Sequence, residues 1–287
     1  MNPVRTLLLP ALLACGSDRI SPTEVPVLRD RLVLEDGGDL TVIAPDGTGR
    51  QAVPTGGDIE QAMDAAISPD GHRVAFAGRR DGRLDLFVMN VDGTERRQLT
   101  DDPALDRRPA WSPGGGRLLF DRTESAAGSP TVMILINSDG SGRKQLRVDA
   151  AAADWSPDGQ RVAFSGSGSL QGIHVMDQDG GNVVSLRDAC GAECDHDRGP
   201  RWSPDGELLG FTRSVPGAAE AVGLMRADGS DAQLVLPGLN AAGPVWSPDG
   251  ARLALSRLDG GGDVYVLTLA TGDTVRLSSG VVTDWVP

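Results

Sequence analysis

The residues of this chain that could do chemistry fall into three groups: aspartates in glycine turns, a set of arginines, and two cysteines beside a histidine. Asp70, Asp158, Asp205 and Asp249 stand in Ser-Pro-Asp-Gly turns, and Asp46, Asp92, Asp139, Asp179 and Asp228 in a second Asp-Gly series. Carboxylates repeated in this way could be acid–base groups or calcium ligands. Short Asp side chains also bond their own turn backbone at such positions, and that turn role is the expected one.

Arg79, Arg80, Arg107, Arg108, Arg122, Arg198, Arg213 and Arg257 gather in segments of variable sequence. Guanidinium groups grip carboxylates through parallel N–H donors, so such a cluster could bind an acidic group on a peptide or other partner. Arg122, Arg213 and Arg257 each lie two residues past a repeated Phe or Leu position, which would set them at equivalent heights in a symmetric fold. Alternatively, the arginines pair with nearby Asp64, Asp106, Asp121 and Asp197 or stay solvated. Cys190 and Cys194, in CGAEC beside Asp195, His196 and Asp197, read first as a small loop disulfide. A metal site of Cys190, Cys194 and His196 is an alternative, short of the four ligands structural zinc takes, and free thiols are another.

Signals for catalysis are missing from the sequence. There is no Gly-x-Ser-x-Gly, and Gly-rich stretches such as 260–263 join strands instead of opening helices, so no phosphate cradle is expected. His72 adjoins a turn, His174 falls in a predicted strand and His196 is by the cysteines, a scatter unsuited to a metal-binding channel. No metal, no cofactor and no catalytic residue is assigned.

The elements that must position these groups follow from a repeat. ISPDG begins at 67, WSPGG at 111, and WSPDG at 155, 202 and 246, with spacings of 44, 44, 47 and 44 residues. Nine residues after each start comes Phe76, Phe120, Phe164, Phe211 or Leu255. A second Asp-Gly turn follows a β-rich run in the repeats, and an apolar residue (Val53, Leu99, Leu146, Leu186 or Val235) follows that turn. Each repeat reads as strand, tight turn, strand, variable loop, strand, tight turn, strand, because Pro presets φ and Gly accepts the left-handed conformation. Four antiparallel strands in about 44 residues are the size of a propeller blade. Trp111, Trp155, Trp202, Trp246 and Trp285 share one slot and are expected to fill the space between blades.

The ends set the blade count. The first repeat, from Arg31 to Val53, has only three strands, and VVTDWVP at 281–287 matches the missing one. Joining them closes the ring and removes exposed sheet edges, so the expected fold is all-β: a six-bladed propeller over 30–287. WSPDG, an apolar-Phe strand and VMNVDGTERRQLT at 88–100 together resemble the TolB-like propeller family, and the resemblance covers about residue 30 to the end. Ile67 in place of Trp, Gly114 in place of the turn Asp and Thr271-Gly272 in place of Asp-Gly are its departures. TolB's N-terminal α/β domain has no counterpart in residues 16–29, so its role in binding peptidoglycan-associated lipoprotein is not carried over.

MNPVRTLLLPALLACGSD reads as a secretory signal over 1–14 ending in a lipobox, with Cys15 as the lipidated residue and 15–29 as a tether. Its apolar run is too short to span a bilayer. Gly16, where an inner-membrane retention signal would have Asp, favours outer-membrane anchoring that faces the periplasm. Without Arg5 the chain carries 26 basic and 40 acidic residues, a net charge of about −14, which argues against nucleic-acid binding. Inter-blade connections of 14, 12, 9, 16 and 11 residues, together with the central hairpin loops, make one face variable. The expectation is a monomeric, non-catalytic lipoprotein that binds a protein or peptide of the cell envelope through that face and the channel mouth. A lyase- or hydrolase-type channel enzyme and a sensory or scaffold module are the alternatives.

Overall fold

The structure, a computed structural model, describes residues 26–124, 129–167, 170–188, 196–214, 217–236, 238–259 and 262–286. In chain order, the first strands are β1 (Leu32–Asp36), β2 (Asp39–Ile43) and β3 (Gln51–Val53). The second blade is β4 (Gln61–Ile67), β5 (Arg73–Arg80), β6 (Arg83–Asn90) and β7 (Arg97–Gln98). The third is β8 (Leu105–Trp111), β9 (Arg117–Thr123), β10 (Thr131–Asn137) and β11 (Lys144–Val148). The fourth is β12 (Ala150–Trp155), β13 (Arg161–Gly166), β14 (Gly172–Asp177) and β15 (Val184–Asp188). The fifth is β16 (His196–Trp202), β17 (Leu208–Ser214), β18 (Ala221–Arg226) and β19 (Gln233–Val235). The sixth is β20 (Ala241–Trp246), β21 (Arg252–Arg257), β22 (Asp263–Thr268) and β23 (Thr274–Ser279), followed by β24 (Val281–Trp285).

These strands form six four-stranded antiparallel sheets, and β24 completes the first as β24-β1-β2-β3. The expected six blades and their closure by the C-terminal strand are therefore what the chain forms. Turn chemistry explains the hairpins: Gly71, Gly159, Gly206 and Gly250 all have φ between 68° and 74°, where a Cβ would be strained. Each of the nine turn aspartates accepts hydrogen bonds from its own turn, as when Asp158 Oδ1 takes the Ser156 hydroxyl at 2.6 Å and the Gln160 N–H at 3.0 Å. Those bonds, the Ser156 hydroxyl first, hold the Asp158 carboxyl below its ordinary range.

The core is six apolar layers, one between each pair of neighbouring blades. Phe76, Phe120, Phe164 and Phe211 are fully buried there, and each Trp of the repeated slot lies in the layer shared with the preceding blade. The indole N–H of Trp111 donates to Ala66 O at 3.0 Å, that of Trp155 to Ala110 O at 3.3 Å, and that of Trp246 to Arg201 O at 3.0 Å. An arginine opening the second strand of the preceding blade caps the ring. Arg73 lies 4.6 Å over Trp111, Arg117 5.1 Å over Trp155, Arg161 4.6 Å over Trp202 and Arg252 4.9 Å over Trp285. Such stacks contribute roughly 0.5–2 kcal/mol each. In the fifth blade Leu208 takes this place and packs against Trp246.

Every innermost strand is broken by a bulge, and its extra residue turns its N–H toward the preceding blade. Asp64, Arg108, Ala152, Gly199 and Gly243 are left-handed there, with φ of 51–65°. The acceptor is the residue just past the Phe slot on the preceding blade's second strand. Asp121 takes the Ala152 N–H at 3.0 Å, Ser165 that of Gly199 at 2.7 Å, Thr212 that of Gly243 at 3.0 Å and Ser256 that of Val282 at 2.9 Å. Glu35 accepts from Asp64 in the same way. Ala77 occupies the slot in the second blade, and there the Arg108 N–H turns to Asp64 Oδ2 at 3.4 Å instead. A belt of side-chain-to-backbone bonds thus ties blade to blade around the axis.

Residues 26–30 lie along the face that carries the Ser-Pro-Asp-Gly turns. The Leu28 N–H donates to Gly71 O at 3.0 Å, and the Trp285 indole to Asp30 Oδ1 at 2.9 Å.

Removing residues 281–287 strips β1 of one of its two partners and uncovers the apolar layer held by Val282 and Trp285. The thermal midpoint should fall by on the order of 10 °C or more. A melt superimposable on that of the full chain would contradict this closure. Ser256→Ala leaves the buried Val282 N–H without its acceptor and should cost ~1–3 kcal/mol in urea unfolding, whereas Ser256→Thr keeps the hydroxyl and most of the stability.

Candidate functional site

All six innermost strands face one central cavity of about 530 Å3. Its wall is built largely from small residues, Ala65, Ala66, Ala110, Ala151, Ala152 and Ala153 among them, which is why the ring leaves a channel instead of closing over its axis. Charged side chains interrupt that wall: Glu35, Asp64, Asp154 and Asp284, and Arg108, Arg198 and Arg201.

The carboxylates are engaged by the scaffold. Asp284 Oδ2 accepts the Ile67 N–H at 2.7 Å and its Oδ1 the Trp285 N–H at 2.8 Å, while Asp154 Oδ2 accepts the Trp202 N–H at 2.7 Å. Asp64 Oδ2 takes the Arg107 Nε donor at 2.8 Å. Burial pushes the carboxyls of Asp154 and Asp284 upward, against the pull of Arg201 and of these amides. Asp121, behind the wall, is also pushed up by burial and pulled down by Arg108, whose Nη1 donates to it at 3.0 Å. Arg201 behaves differently: its Nη1 lies 3.7 Å from Asp154 Oδ1, and its guanidinium donates no hydrogen bond to any described residue.

The sequence-predicted arginines separate into two sets. Arg122, Arg213 and Arg257 do not meet at the channel. Arg122 is buried and pairs with Asp106 at 3.3 Å, with Glu124 at 3.5 Å and with Asp102. Arg213 pairs with Asp197 at 2.8 Å and Arg257 with Asp259 at 2.5 Å. Arg80 bonds Gln98 Oε1 at 2.5 Å and stacks over Phe87, and its neighbour Arg79 is paired across the sheet with Leu84. Arg107 reaches Asp64, while Arg108 and Arg198 line the cavity. Arg198 donates to Glu220 Oε1 at 2.6 Å.

Arg201 was absent from the sequence-predicted set. It stands immediately before a slot Trp, a position filled round the ring by Ala66, Ala110, Asp154, Arg201, Val245 and Asp284. Comparing the repeats at that position would have found the three charged members.

Neither His174 nor His196 lines the cavity. His174 is buried, stacks on Phe164 with ring centroids 5.4 Å apart, and has Nε2 2.7 Å from Leu170 O. Cys15, Cys190 and Cys194 lie outside the described residues. Among the described residues no three His, Cys, Asp or Glu side chains are grouped to hold a metal ion.

Burial, with Asp64 alongside, pushes the Glu35 carboxyl up to about 7. A carboxyl raised on folding favours the folded state below its unfolded value, near 4.5, and that contribution is lost as the pH rises through 7. Glu35→Gln keeps an acceptor for the Asp64 N–H without the charge. Between pH 5 and pH 8 the variant should therefore gain ~1–3 kcal/mol on the wild type in urea unfolding, and a gap that does not change with pH would refute the assignment.

Comparison with known proteins agrees with this architecture. The family model described as the TolB beta propeller domain matches residues 50–237. The chain is 31% identical over 162 residues to the uncharacterized protein Atu1656 of Agrobacterium fabrum, over 52% of this chain and 54% of that protein. It is 30% identical over 159 residues to the protein TolB homolog of Chlorobium chlorochromatii, over 54% of this chain and 34% of that one. The matches thus span about half or less of the length of these curated relatives. Among solved structures, TolB from Acinetobacter baumannii superposes with a TM-score of 0.74 at 20% identity, over 90% of this chain and 66% of that one, a likeness of fold. Since the family model spans well over half of the sequence and the repeats it describes are the blades seen here, this chain belongs to the TolB β-propeller family.

Proposed function

We propose that this protein is an exported binding module, lipid-anchored through Cys15, whose propeller holds a protein or peptide partner of the cell envelope at its loop-rich face and channel mouth without transforming it. The observation that carries this reading is the cavity enclosed by all six inner strands, large enough for a short peptide segment. The connections of unequal length on that face support it, since specificity is commonly set on such loops. So does the commitment of the channel carboxylates to backbone amides, which spends the groups an acid–base reaction would need. Removal of residues 1–14, a Cys190–Cys194 disulfide, an outer-membrane location facing the periplasm and a monomeric propeller belong to the same proposal.

A photo-crosslinking residue replacing Val281, which is half-exposed and lines the cavity, should trap a discrete envelope protein in intact cells. The same residue at Gln160, on the turn face, should trap none. Equal labelling from both positions would reject the channel mouth as the contact. Cys15→Ser should move the protein from the membrane fraction to the soluble one, and a variant that stays in the membrane would reject the anchor.

A further inference from the structure

We infer that the channel contains a carboxylate-binding alcove formed by Arg108, Arg198 and Arg201, so that the partner segment it accepts carries an acidic group. This rests on the binding role proposed above and specifies its ligand. Arg108 comes from β8 in the third blade, and Arg198 and Arg201 from β16 in the fifth. Between them the fourth blade presents Ala151, Ala152, Ala153 and the small Ser165 to the cavity beside Asp154. These small side chains leave the space that a ligand would fill, with guanidinium groups on either side of it.

The competing view is that the channel's four carboxylates outnumber its three arginines and select a cation. Hydrogen-bond capacity argues otherwise. Asp284, Asp154, Asp64 and Glu35 all already accept backbone N–H groups, and Asp64 also accepts from Arg107. Glu35, near neutral pH, is partly uncharged as well. The arginines are the reverse. A guanidinium carries five N–H donors in a fixed fork, and among the described residues Arg201 uses none of them in a hydrogen bond. The side chains of Arg108 and Arg198 are each engaged by one acid, Asp121 and Glu220, and remain nearly half exposed, at 49% and 47%. Unused donors in a walled cavity favour a planar anion that can accept two of them at once. The net charge of −13 repels such a ligand at long range, so recognition must come from these close contacts. At ~0.15 M salt, where screening acts over about 8 Å, that repulsion is largely removed.

The test uses four capped or free tetrapeptides at that ionic strength: N-acetyl-tetraglutamate amide, its glutamine and lysine counterparts, and N-acetyl-tetraglycine with a free C-terminal carboxylate. Fluorescence polarisation or calorimetry on the full propeller should show the glutamate peptide bound at least tenfold more tightly than the glutamine one. That preference should vanish in Arg108→Gln/Arg198→Gln/Arg201→Gln. Binding of the tetraglycine acid would assign the alcove to a chain terminus, and binding of the glutamate amide alone to acidic side chains; both outcomes support a carboxylate site.

Arg201→Glu, which breaks no hydrogen bond seen here, should shift the preference toward lysine and carries the test if the triple variant does not fold. A wild-type preference for lysine, no measurable binding of either acid, or a glutamate preference unchanged in folded variants would overturn the proposal. If the Val281 crosslink persists while the acidic peptides fail, the alcove is wrong and the binding role stands. If wild-type protein gives no mouth-specific crosslink, the binding role itself fails.

Discussion

The ring depends on a hydrogen bond that no single blade can make for itself. Each innermost strand kinks where its bulge residue turns an N–H out of the sheet ladder, and that donor is satisfied by a side chain on the blade before it. An amide buried without an acceptor costs about as much as a typical core substitution, so the kink is tolerable only when the neighbour is in place. The left-handed conformation of Asp64, Arg108 and Ala152 adds to that demand, since non-glycine residues adopt it only where the surroundings compensate. Neighbouring blades are therefore mutually required, beyond the apolar layers they share.

The belt is not uniform. From the fourth blade round to the first, its acceptors are the hydroxyls of Ser165, Thr212 and Ser256. From the first to the fourth they are the carboxylates of Glu35, Asp64 and Asp121, interleaved with Arg107 and Arg108. A neutral hydroxyl and a carboxylate satisfy the same amide, so the fold accepts either. The choice matters to the channel, because the carboxylate acceptors Glu35 and Asp64 are themselves titratable groups at its wall, which the hydroxyl acceptors Ser165 and Thr212 are not.

The parts of this arrangement legible in the sequence are those enforced locally. A Ser-Pro-Asp-Gly turn needs its proline and glycine whatever surrounds it, so the turns mark blade boundaries, and the Trp and Phe slots follow at fixed distances. Trp285 is recognisable for the same reason, and with it the closure of the ring. The arginines are legible in part: Asp64, Asp106, Asp121 and Asp197, acids at repeat positions, do pair with Arg107, Arg122, Arg108 and Arg213, whereas Asp102, which also pairs with Arg122, lies in an inter-blade connection to which no spacing rule leads. The belt was legible in principle. Glu35, Asp121, Ser165, Thr212 and Ser256 occupy one column of the repeat, as do Arg31, Arg73, Arg117, Arg161 and Arg252. Reading those columns requires knowing that strand neighbours alternate between two packed interfaces, so that the residue after a core Phe faces the next blade.

The docking of residues 26–30 against the Gly71 turn sets the face of the ring at which the described chain begins. The chain leaves the ring on the turn face, opposite the variable loops. With Cys15 as the anchor proposed above, the face of tight turns would be the one turned toward the lipid, and the channel would open away from the bilayer. The protein would then stand like a cup on a short stem, its rim directed across the compartment, where a partner approaching from the opposite surface meets the opening before it meets the membrane.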